Sequence, residues 1–123
     1  MATLNDRVFD NGLQTLDLEG SRIDVTSQEA TSYASATSTH TLGNSTSLSI
    51  GAPADRSGGG REVTVAAISD GSISGTGTAT HYAISDVSNT RLLATGALSA
   101  SQSVTSGNTF TLASFTIGIP DPS

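Results

Sequence analysis

The chain has no lysine, no cysteine and no tryptophan, and only one methionine. Without cysteine there is no disulfide framework and no thiolate metal site. Five arginines stand against eleven acids, a formal net charge of −6. Neither half is basic: residues 1–62 hold four arginines against eight acids, and residues 63–123 one against three. Nucleic-acid binding depends on cations that displace phosphate counterions, and an anionic membrane surface repels an acidic chain; both partner classes are excluded. No apolar run approaches the roughly 20 residues of a membrane-spanning helix. Met1–Arg7 lacks the apolar stretch of a secretory signal.

Serine and threonine abound instead, with 13 glycines. The hydroxyl residues alternate with small apolar ones, as in Ser45-Thr46-Ser47-Leu48-Ser49-Ile50 and Thr109-Phe110-Thr111-Leu112. A period of two is that of half-buried strands. The length suits one domain with a thin core, since only three Phe and two Tyr are available to fill it.

The first twenty residues differ. Leu4, Val8, Phe9, Leu13, Leu16 and Leu18 recur at spacings of three to five, a fair match to one helical face, and Asn11-Gly12 interrupts it. We expect an N-terminal arm over 1–20 with a short helix, followed by one β-domain over 21–123. Leu4, Val8, Phe9, Leu13 and Leu16 are candidate partner-binding residues. The competing reading is a segment that packs on its own core.

From Arg22 the pattern predicts strands at 22–26, 45–50, 62–68, 80–86, 91–98 and 109–119. Ser27–Thr41 reads as a loop or weak edge strand, and Gly51–Gly60 as the clearest loop. Turns are expected at Asp70-Gly71, Val87-Ser88-Asn89 and Ser106-Gly107-Asn108. Val63, Val65, Ala67, Tyr82, Ile84, Leu92, Ala94 and Leu98 are expected to point inward. In the last strand Phe110 and Leu112 fall on one face and Phe115, Ile117 and Ile119 on the other, so a bulge near Ala113-Ser114 is expected to bring both sets to the core. Short strands at intervals of about ten residues predict a mainly β protein, a single antiparallel β-sandwich, for which a jelly roll is one topology.

Chemistry is sparse. His40 and His81 are the only general-base candidates near neutral pH, and both read as surface groups. Gly71-Ser72-Ile73-Ser74-Gly75 misses the nucleophile-elbow spacing by one residue. Two histidines 41 positions apart do not have zinc spacing, and Asp6, Asp10, Asp17 and Asp24 form no calcium loop. Arg56-Ser57-Gly58-Gly59-Gly60-Arg61 lacks the end of a P-loop. No close pair of carboxylates suggests glycoside hydrolysis. No catalytic, cofactor-binding or metal-binding residue is assigned, and the chain reads as no enzyme.

Three blocks carry a resemblance: Asp6-Arg7-Val8-Phe9-Asp10-Asn11-Gly12-Leu13, then Gly51-Ala52-Pro53-Ala54-Asp55-Arg56, then Val63 through Pro120 with Gly75-Thr76-Gly77-Thr78-Ala79-Thr80-His81-Tyr82-Ala83-Ile84 and Leu98-Ser99-Ala100-Ser101-Gln102. Together they resemble small structural proteins of tailed bacteriophages and prophages of alphaproteobacteria. The resemblance implies a capsid decoration (cement) protein or another head or tail accessory subunit. Its partner would be the major capsid protein, with self-association, a trimer being one option. It would be made in the host cytoplasm and reside on the capsid surface, with no cofactor. The alternative is a tail- or fibre-associated domain that binds a host surface glycan or protein.

Overall fold

The computed structural model of the chain describes residues 3–4, 13–55 and 61–119. In chain order its elements are β1 (Thr3–Leu4), α1 (Gln14–Glu19), β2 (Arg22–Thr26), a π-helical turn (Ser35–Thr39), β3 (Thr41–Ser45), β4 (Ala54–Asp55), β5 (Arg61–Val65), β6 (Ile68–Ile73), β7 (Gly77–Asp86), β8 (Arg91–Val104), β9 (Thr109–Leu112) and β10 (Phe115–Ile119). The protein is mainly β. Seven strands form one curled antiparallel sheet in the order β1-β8-β7-β2-β3-β6-β9, and three form a second in the order β10-β5-β4.

The core lies between these sheets. Ile23 and Val25 of β2, Tyr82 and Ile84 of β7, Ile73 of β6 and Phe110 of β9 join Val63 and Val65 of β5 and Ile117 of β10 in one buried cluster. Leu13 and Leu16 belong to it, at 5% and 0% exposure. Those two leucines therefore pack on the protein's own core, the competing reading of the N-terminal segment, and are not available to a partner. Leu18, on the opposite side of α1, is 74% exposed. Leu4 lies on β1, opposite Ala94 of β8. Val8 and Phe9 lie outside the described residues.

The other face of the large sheet has its own small cluster. Ala30 and Ala36, from the segment between β2 and β3, pack with Ala83 of β7 and, less completely, Leu92. This segment is helical, not the loop or edge strand its sequence suggests. Ser32 and Ser35 cap its start reciprocally: the Ser35 N–H donates to Ser32 Oγ at 3.1 Å, and Ser35 Oγ accepts from the Ser32 N–H at 2.9 Å. That is a capping box with serine at the third position.

Four further expectations are corrected. The strand expected at 45–50 ends at Ser45, whose Oγ accepts the Ser47 N–H at 3.1 Å and so turns the chain; Ile50 returns as an isolated bridge to Val65. Asp70-Gly71 is no turn but lies inside β6, beside a register shift between Ile68 and Gly71. Ala67 is exposed, because β5 ends at Val65. The single strand expected over 109–119 is two: the chain leaves the large sheet at Leu112 and enters the small one at Phe115. Both apolar sets reach the core by this crossing, not by a bulge.

β8 is the irregular strand. Opposite the Ile84–Ser85 step of β7 it advances from Leu92 to Ala94, so Leu93 and Ala94 both turn inward, at 0% and 2% exposure. Farther along, Ala79 faces Gln102 and His81 faces Ala97, so Leu98–Ser101 stand against Thr80 alone. This long bulge bends the strand away from its neighbour.

Candidate functional site

Neither histidine meets an acid in its described contacts. His81 Nδ1 lies 2.8 Å from Thr80 Oγ1, and His40 Nε2 lies 3.0 Å from Gln28 Nε2. Ser72 sits within β6 opposite Asn44 and Thr109, not on a strand-to-helix turn that would present its hydroxyl. Among the described residues, no group of three or more His, Asp or Glu could hold a metal ion. The Arg56–Gly60 part of the glycine-rich segment lies outside the described residues.

The clearest charged arrangement is structural. Asp24 is fully buried on β2. Arg22 grips it in bidentate fashion, Nε to Oδ1 at 2.8 Å and Nη2 to Oδ2 at 2.9 Å, and Thr41 Oγ1 donates to Oδ2 at 2.6 Å. The hydrogen bond to Asp24 raises the Arg22 pKa further above its ordinary value. The cluster ties β2 to the start of β3 and leaves little of the carboxylate for a ligand.

A long run of the sequence is free of charge. From Leu92 to Pro120 no residue is Asp, Glu, Lys, Arg or His. Its described part, Leu92–Ile119, builds nearly all of β8 and the whole of β9 and β10, while the partner strand of β10 sets Arg61 and Glu62 opposite Ile119 and Gly118. The run is readable in the sequence, though alternation alone does not draw attention to it.

Within this region the Leu98–Ser101 bulge and the β9–β10 crossing enclose a cavity of about 350 Å³. Its walls include Tyr82, Leu98, Leu112 and Phe115. The Tyr82 and Phe115 rings touch, centroids 4.6 Å apart and tilted by 46°. Tyr82 reaches this point because its cross-strand neighbour is Gly96: a Cβ there would stand 2.6 Å from the ring and 2.7 Å from the hydroxyl oxygen. Gln102 bridges the gap, its Nε2 donating to the Thr111 carbonyl on β9 at 3.2 Å. A second cavity of about 310 Å³ opens between Thr31–Tyr33 and Thr90–Thr95.

Of the arm residues proposed for partner contact, the structure brings Leu13 and Leu16 together in the core and places Leu4 on a sheet edge. The Tyr82 cavity was missed by sequence reasoning, because the Tyr82–Gly96 pairing depends on the register of β7 and β8. Comparison of the chain with protein-family models, curated proteins and solved structures finds no match in any of the three.

Proposed function

We propose that the chain is a non-enzymatic structural subunit of a tailed-phage virion that decorates the outside of the capsid shell. It would bind the major capsid protein and associate with its own copies. The observation that carries this reading is the uncharged run of sequence from Leu92 to Pro120 in a chain of net charge −6. Charge depletion marks the centre of protein interfaces, and copies that repel elsewhere can approach there. The three sequence blocks that resemble phage structural proteins point the same way. The mechanism is mass action: a subunit that binds only the assembled shell stabilises it. With Leu13 and Leu16 in the core, the contact role rests on the charge-poor strands and no longer on those two leucines. Co-sedimentation of the purified protein with empty shells tests this. Saturable binding spread over the head is expected. Binding confined to the tail in imaged virions would favour the tail-associated alternative.

A further inference from the structure

We infer that the cavity between the Leu98–Ser101 bulge and the β9–β10 crossing is a binding site for a neutral pyranose sugar. This holds whether the subunit sits on the head or the tail. The first observation is Tyr82. It is 8% exposed and lines the cavity with its hydroxyl-bearing ring. Its oxygen is not among the fully buried unpartnered atoms, so it stands open to the cavity, where it can donate to a ligand. Gly96 lies beneath the ring, where any side chain would collide, and so lets Tyr82 hold this position.

The second observation is the chemistry of the walls. They hold no ionisable group besides Tyr82, so an anion finds no cation and a cation no carboxylate. A wholly apolar ligand would leave the Tyr82 O–H unsatisfied. The floor of Leu98, Leu112 and Phe115 suits a C–H face. The rim offers hydroxyl donors from Tyr82, Ser99 and Ser114, and Gln102, whose Nε2 is engaged, keeps its Oε1 as an acceptor. A ring with one apolar face and a belt of neutral hydroxyls matches both halves. The volume lies at the low end of small-molecule sites, about 300–1,000 Å³.

The third is backbone placement. Long bulges re-aim side chains beside functional sites. Here the bulge forms one wall of the cavity, and the change of sheets forms the other.

The test is an amide-resolved NMR titration of the full chain with methyl β-D-glucopyranoside and methyl β-D-galactopyranoside, with D-glucuronate as the charged control. Saturable shifts confined to 97–102 and 112–116 are expected from at least one neutral glycoside, with glucuronate far weaker. Tyr82→Phe should weaken that binding about three- to tenfold, the loss of one hydrogen bond, without lowering thermal stability. Ala100→Trp, at an exposed position of the bulge, should block the cavity and abolish binding. The inference is overturned if neither neutral glycoside shifts these resonances at tens of millimolar, if glucuronate binds equally well, or if Tyr82→Phe binds unchanged.

Discussion

Gly71 of β6 and Phe110 of β9 face each other across their ladder, and the phenyl ring fills the space a side chain at residue 71 would need. Gly96 and Tyr82 repeat the relationship across β7 and β8. In each pair a glycine on one strand is covered by an aromatic ring from the next, which returns to the core the apolar area the glycine lacks. Three Phe and two Tyr are all the chain has, so two such pairs are a large share of its packing.

Gly71→Ala should therefore destabilise the protein, by about 1–3 kcal/mol, as overpacking does. Urea unfolding measures it. Combining it with Phe110→Leu, which vacates the ring's space, should recover part of the loss, and a double-mutant cycle reads the coupling directly. Additive losses would mean the ring does not set the requirement for glycine.

Asp24→Ala should cost about 1.5–3 kcal/mol, because it removes the charge-assisted hydrogen bonds that the buried carboxylate accepts from the half-buried Arg22. Thr41 loses its acceptor as well. A loss below about 0.5 kcal/mol in denaturant unfolding would place the pair with exposed ion pairs instead. His40→Ala and His81→Ala should each stay within about 1 kcal/mol, since their described bonds are to neutral groups.

These particulars show what the sequence made legible. Val63, Val65, Tyr82 and Ile84 are buried as their alternation requires, because period two maps directly onto the faces of a regular strand. It fails where the ladder is irregular: Leu93 is buried out of phase because β8 carries an extra residue there. Asp70-Gly71 reads as a turn because that is the commonest use of the dipeptide, whereas here the glycine answers to Phe110, thirty-nine positions away. The helical segment near Ser35 is signalled only by a serine capping pair. The cavity was not legible, since it forms where strands distant in sequence meet and one pairing is skipped.

Leu16 and Leu18 sit on one short helix with opposite fates, fully buried and 74% exposed. Leu16→Ala should cost about 2–5 kcal/mol. Leu18→Ala should stay within about 0.5 kcal/mol. It follows that deleting residues 1–18 removes two core side chains, Leu13 and Leu16, and should leave a chain that unfolds at markedly lower temperature. A truncated protein with wild-type thermal stability would return the segment to the role of a detachable arm.

Tyr82 ties stability to alkaline pH. Burial pushes its pKa up to about 12, from an ordinary value of 10.0. Between those values the folded protein keeps the phenolic proton while the unfolded chain has released it. Unfolding then releases a proton, so stability falls as pH rises through this window and is unaffected by this group below it. From about pH 9.5 to 11.5 the loss should amount to roughly 2 kcal/mol. Tyr82→Phe removes the ionisable group and should abolish that share of the slope, with Tyr33 and the arginines common to both proteins. Urea unfolding of both at a series of alkaline pH values decides it: parallel curves would mean that the ring is solvated and that the phenol titrates as it does in the unfolded chain.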